Sequence, residues 1–209
     1  MGRQARAALR SLGLRSQADL NVVGLLLAAG SASRFGSDKL RHPLPHGVPI
    51  AVQAARHLRA ELSRVVVVIR STDAREAFAA ERCETVVCEN ADEGMGASLA
   101  CAVRAAGRAD AYVVALADMP YVRPATIAAV REALEHGAGL AAPYFRARRG
   151  HPVGIAGAYY EELVSLRGDE GARHLLSANE ARLVKIPVGD PGVVRDIDRP
   201  EDLAPPIRT

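Results

Sequence analysis

Short apolar runs rich in Val, Leu and Ile alternate along the chain with longer segments whose apolar residues recur every three to four positions. The runs predict strands at 22–28, 64–70, 85–88, 111–117, 140–143, 152–155, 183–188 and 193–197. The longer segments predict helices at 50–62, 73–80, 96–106, 124–136, 158–166 and 171–178. The first run, from Val22 to Ala28, is apolar at every position, as a strand buried on both faces is. Strands alternating with helices imply an α/β fold, a Rossmann-like three-layer sandwich with a mostly parallel mixed sheet. The later strands crowd together in sequence, which leaves room for one antiparallel strand. No linker, repeat or low-complexity tract divides the chain, so residues 21–209 are expected to form one domain behind an extension at 1–20.

Ligands of open α/β sheets bind beyond the carboxyl ends of the strands. Four polar or glycine-rich segments follow predicted strands directly, at 30–39, 90–98, 118–120 and 196–198. The pattern therefore gathers them on one rim.

Composition adds exclusions. The 209 residues are 49% hydrophobic and 4% aromatic with no Trp, so the core rests on aliphatic side chains. The net charge is +3, and no basic run is interleaved with aromatics, so nucleic acid is not an expected partner. The apolar runs fall far short of the ~18 residues that span a bilayer, and no membrane partner is expected. Cys83, Cys88 and Cys101 form no Cys-x-x-Cys pair, which favours a reducing compartment over a disulfide framework, with Cys101 a small apolar side chain on a helix. Arg3, Arg6, Arg10 and Arg15 precede any acid, but the apolar stretch of a secretory signal is missing. A cytoplasmic protein with a loosely ordered or helical extension is expected.

The chemistry concentrates at residues 25–40, where the first strand gives way to a loop of Gly and Ser. Glycine lets backbone approach a ligand closely, and converging N–H groups with Arg34 and Lys39 would cradle phosphate. Only Lys39 and Lys185 among 27 basic residues are lysines, and Lys brings a compact point charge where Arg brings a rigid fork. The spacing fits neither the Walker loop nor the Gly-x-Gly-x-x-Gly fingerprint. Ala-Ala-Gly-x-x-x-Arg-x-Gly-x-x-Lys instead resembles the signature of the MobA-like nucleotidyltransferases, and its Ala-Ala-Gly form is most similar to the molybdenum cofactor cytidylyltransferase branch. The resemblance implies nucleotide contacts from Leu27, Ala28, Ala29, Gly30, Ser33, Arg34, Gly36 and Lys39, with Lys39 and Arg34 neutralising the triphosphate.

Asp118, at the end of Ala-Tyr-Val-Val-Ala-Leu-Ala, reads as a turn cap before Pro120 or as an oxygen ligand for Mg²⁺. The resemblance implies the metal role. In Asp196-Ile197-Asp198, strand alternation puts both carboxylates on one face. Asp198 reads as a second Mg²⁺ ligand by resemblance, or as a helix N-cap with Glu201 completing a capping box; Asp196 is the alternative ligand. Asn90, Gly94 and Ser98 open a predicted helix and match a segment that the family places beside the nucleotide. Gly150-His151-Pro152, Asp169 and Arg173 resemble acceptor-side segments, where Arg146, Arg148 and Arg149 would attract an anion. His151 also reads as a turn residue and Asp169 as a helix N-cap.

The resemblance implies transfer of CMP from CTP to the phosphate of molybdopterin, with release of pyrophosphate. Guanylyltransferase relatives carry Gly where this chain has Ala29, and the added Cβ favours CTP over GTP. The alternatives are guanylyl or cytidylyl transfer to another phosphorylated acceptor, or a non-catalytic partner that delivers cofactor to a molybdoenzyme or its maturation factor.

Overall fold

Every residue of the first apolar run is buried, and the run forms the central strand β1 (Val22–Ala28). The computed structural model describes residues 20–30 and 39–204. After β1 come α1 (Ile50–Glu61), β2 (Arg64–Ile69), α2 (Arg75–Ala79), β3 (Glu84–Val87), α3 (Met95–Ala106) and β4 (Ala111–Leu116). The second half contains α4 (Pro124–Glu135), β5 (Leu140–Phe145), β6 (Arg148–Arg149), β7 (Val153–Ala156), α5 (Tyr160–Val164), α6 (Arg173–Ala178) and β8 (Leu183–Pro187).

The strand order is β3-β2-β1-β4-β7-β5-β6, with β8 paired to β5. β1 is parallel to both β2 and β4, whereas β7 is antiparallel to β4 and β5, and β6 to β5. The sheet is therefore mixed and mostly parallel, with two reversed strands where one was expected.

Alternation across the pleat makes two cores. Val23, Leu25 and Leu27 meet Val66, Val68 and Val114 on one face, under Leu99 and Val103 of α3, Leu163 of α5 and Leu176 of α6. Val22, Leu26 and Ala28 meet Val65, Val67 and Val113 on the other, under Leu58 of α1, Phe78 of α2 and Val130 of α4. Helices on both faces of a sheet complete the three-layer α/β sandwich. Among the described residues no helix is long and apolar enough to cross a membrane.

The predicted strand at 193–197 does not form. Pro191–Val194 is a 3₁₀ turn, with Pro191 lacking the N–H of a ladder donor. The following residues run extended without a strand partner, yet the expected alternation persists: Ile197 is fully buried with Leu44 and Ile50. Its N–H donates to the Asp118 carbonyl at 2.9 Å, which ties this segment to the end of β4. Asp190, only 3% exposed, fixes the same segment from its other end. Its carboxylate accepts from Arg123 N at 2.9 Å, Thr126 Oγ1 at 2.7 Å and Gly192 N at 3.1 Å, joining the start of α4 to the 3₁₀ turn.

Candidate active site

Lys39 opens a 3₁₀ turn, Lys39–Arg41, and is buried at 8% exposure. Its ammonium donates to Asp118 Oδ2 and to Asp198 Oδ1, each at 3.1 Å. Asp118 lies two residues beyond β4, and Asp198 is held by the segment that Ile197 anchors. Asp196 joins them. Ligand oxygens of Asp118, Asp196 and Asp198 all lie within 4.8 Å of one another.

Charge explains what such a cluster can hold. Burial opposes the charged form of Lys39, but Asp118 and Asp198 outweigh it and raise the ammonium above the usual lysine range. Burial pushes the Asp118 carboxyl up, and Lys39 offsets only part of that shift. One ammonium thus serves two carboxylates with a third, Asp196, beside them, and Asp118 among these is costly to ionise. Three hard oxygen donors fit a divalent cation such as Mg²⁺, whose charge would supply the missing compensation.

The capping-box reading of Asp198 is not what forms. Asp202, rather than Glu201, is the capping side chain, accepting from Asp198 N at 3.1 Å and Arg199 N at 2.9 Å. The Asp198 carboxylate is thereby turned toward Lys39. Asp118 likewise spends an oxygen on Lys39.

A cavity of about 290 Å³ adjoins the cluster, lined by Leu27, Ala29, Gly30, Lys39, Asp118, Gly94, Ser98 and Asp169 among others. Gly94 is in a left-handed conformation (φ 123°), and a Cβ there would lie 2.1 Å from Asp169 Oδ1. Gly96 N donates to the Gly168 carbonyl at 2.6 Å. Glycine at 94 therefore lets the Gly168–Asp169 loop close on the start of α3, which brings Asp169 into the cavity wall. Asp169 is not an N-cap, because α6 starts later, at Arg173 after Ala172. A second cavity, about 550 Å³, opens on the other face, lined by Ala28, Val52, Ile69 and Phe78 but by neither Lys39 nor Asp118. The smaller cavity is the candidate site, because it alone of the two joins the charged cluster.

Several residues expected at the site stand elsewhere. Ala28 faces the second cavity, as alternation from Leu27 and Ala29 requires. Asn90 is exposed and accepts from Cys88 Sγ at 3.2 Å, while its neighbours Ala91 and Asp92 line the site. Gly150 packs against Val193. His151 and Pro152 line a small apolar void with His57 and Met119, and Arg173 is exposed on α6. Burial, with Arg149 nearby, pushes the His151 imidazole down to about 4, so it is neutral at physiological pH. Ser33, Arg34 and Gly36 lie outside the described residues. Arg70 lines the site and went unforeseen, since one arginine among so many carries no signal in the sequence.

The chain resembles known proteins over most of its length. Residues 24–183 match the family described as the MobA-like NTP transferase domain. The purine catabolism protein PucB of Bacillus subtilis is 29% identical over 197 residues, spanning 87% of this chain and 93% of its own. The crystal structure of Rv0371c from Mycobacterium tuberculosis superposes with a TM-score of 0.76 at 25% identity, covering 88% of this chain and 95% of the other. A second structure of that protein, in complex with manganese, gives a TM-score of 0.73 at 24% identity, covering 87% of this chain and 95% of the other.

Proposed function

This chain belongs to the MobA-like NTP transferase family, and from that premise we propose that it moves CMP from CTP to the phosphate of molybdopterin, releasing pyrophosphate. The observation that carries the reading is Lys39 clamped between Asp118 and Asp198, with Lys39 and Asp118 lining the cavity.

A phosphate acceptor is already an anionic nucleophile, so the reaction asks for positioning and charge neutralisation rather than a general base. The acceptor oxygen attacks the α-phosphorus of CTP, the bond to the β-phosphate oxygen breaks, and pyrophosphate leaves. Lys39 stays protonated throughout and offers the phosphates its charge and the one N–H donor that Asp118 and Asp198 do not take, with Arg34 as the second cation. Asp118 and Asp198, with Asp196 beside them, would hold Mg²⁺, which supplies charge neutralisation and polarisation at the α-phosphate when bound. The backbone at Leu27, Ala29 and Gly30, with Gly94 and Ser98, contacts the nucleoside. The carboxylate of Asp169 is within the same wall, on the side that the resemblance gives to the acceptor.

Ala29 supports CTP over GTP. It lines the cavity, where a Cβ in place of a glycine hydrogen would leave less room for a purine. The product's receiver would be a molybdoenzyme or its maturation factor in the cytoplasm. Turnover of CTP and GTP with molybdopterin, read as pyrophosphate release, tests the reading: preference for CTP supports it, and preference for GTP reverses the nucleotide assignment. Nucleotide binding without release of pyrophosphate would make the chain a delivery partner instead.

A further inference from the structure

Arg70 is the sole guanidinium among the described residues that line the cavity. It stands immediately after β2, while Asp118 stands beyond β4, and these two strands flank β1. The two residues therefore bracket the end of β1 from opposite sides. The Lys39–Asp118–Asp198 group claims the phosphates on the β4 side. A nucleotide stretched across the end of β1 then lays its base on the β2 side, toward Arg70, Ala91 and Asp92.

The guanidinium is anchored there. Its Nε and Nη2 donate to the Ala29 carbonyl at 3.3 and 3.1 Å, and Nη1 donates to the Asp92 carboxylate. A guanidinium carries five N–H donors in one plane, so the fork has two beyond these three contacts. The same contacts occupy the Ala29 carbonyl as an acceptor. Beside Arg70, where the two cavities meet, a base would therefore find guanidinium N–H groups, with the Ala29 carbonyl already taken.

We infer that Arg70 reads the nucleobase, accepting an edge with two adjacent acceptor atoms, O2 and N3 of cytosine, and turning away uracil. The inference rests on the transferase reading above and assigns the residue that enforces its base. Uracil has the size of cytosine, so the Cβ of Ala29 does not separate them. At N3, however, uracil carries an N–H that would face the guanidinium N–H, leaving both donors unpaired. Guanine also has adjacent acceptors, O6 and N7, whereas adenine sets an amino group beside N7. Arg70 therefore separates cytosine from uracil and guanine from adenine, and leaves cytosine against guanine to the size of the pocket.

Titration calorimetry of the full chain with CTP, UTP, GTP and ATP in Mg²⁺ tests this without an acceptor. Wild type should bind CTP about tenfold or more tightly than UTP, the discrimination expected of a charge-assisted hydrogen bond. In Arg70→Ala, with its fold verified by circular dichroism and thermal melting, that ratio should fall to about twofold or less. Arg70→Lys keeps the charge without the fork and should lose the ratio as well. An unchanged CTP-to-UTP ratio in Arg70→Ala overturns the inference, as does a full ratio in Arg70→Lys. Equal weakening of all four nucleotides also overturns it, leaving Arg70 as a support for Ala29. A wild type that prefers GTP, with guanine-over-adenine discrimination lost in Arg70→Ala, removes the CTP reading while sustaining the role of Arg70. A wild type that binds no nucleotide removes both.

Discussion

Lys39 concentrates the chemistry of the site in one side chain. Its ammonium is buried, donates to two carboxylates at 3.1 Å and is held charged by them. Lys39→Ala should therefore lower turnover by about 10²-fold or more while the protein stays folded, measured by pyrophosphate release and circular dichroism. Lys39→Arg should not restore it, because a planar fork does not replace a compact point charge between two carboxylates. The prominence of Lys39 was legible in the sequence, since lysine is so scarce in this chain. The partner residues Asp118 and Asp198 were singled out as well, by the resemblance and by their places after predicted strands, although the strand before Asp198 does not form. Arg70 was not, because its meaning comes from the Ala29 carbonyl 41 residues earlier in sequence, a contact that only the sheet creates.

His151 gives a different lesson at the same scale. Its place in a Gly-His-Pro segment suggested an acceptor contact, but the ring is packed in an apolar void, and burial lowers it to about 4. A histidine that is neutral when folded but titrates near 6.5 when unfolded withdraws stability as pH falls through that interval. Between pH 6.5 and 4, His151 should account for up to about 3 kcal/mol of acid destabilisation. His57, half-buried and likewise lowered by its burial, acts with the same sign. Denaturant melts across that range should show a shallower acid limb in a folded His151→Gln variant than in wild type, and parallel limbs would contradict the assignment.

At the scale of elements, two joints hold the site together. Gly94 combines a left-handed φ of 123° with an approach that puts its absent Cβ 2.1 Å from Asp169 Oδ1. Gly94→Ala should cost roughly 2 kcal/mol or more and weaken nucleotide binding, as calorimetry and thermal melts would register. Asp190 is the second joint, accepting from both the start of α4 and the 3₁₀ turn that leads to Asp196 and Asp198. Asp190→Ala leaves buried donors unpaired and should cost about 2–4 kcal/mol, read from denaturant midpoints. Turnover should fall further than stability alone accounts for, because the carboxylate-bearing segment loses its tether. Strand and helix positions were readable from periodicity, β1 residue for residue. The segment at 193–197 shows the limit: its in-out alternation was correct, but Pro191 and a tether to α4 keep it off the sheet. Period alone does not reveal whether a partner strand exists. The two-residue β6 offers too little pattern to be read at all.

For the whole molecule, the sheet order is what makes the site. Placing β1 between β2 and β4 sets a small cavity across the end of the central strand, with Arg70 on one side and Asp118 on the other. The two aliphatic cores clamp that strand from both faces, so the loops at its end work from a rigid base. The architecture was legible because alternating runs and helices admit few arrangements. The reversal of β7 and β6 was not, since a strand's direction depends on connections that the pattern leaves unspecified. Metal-assisted nucleotidyl transfer at this rim should show itself as pyrophosphate released from CTP in the presence of molybdopterin. Wild type with Mg²⁺ should release pyrophosphate in step with transferred CMP, chelation of the metal should stop it, and Asp118→Ala should be inactive though folded. A wild type that releases none, or an Asp118→Ala enzyme as active as wild type, would rule out transfer by this carboxylate cluster.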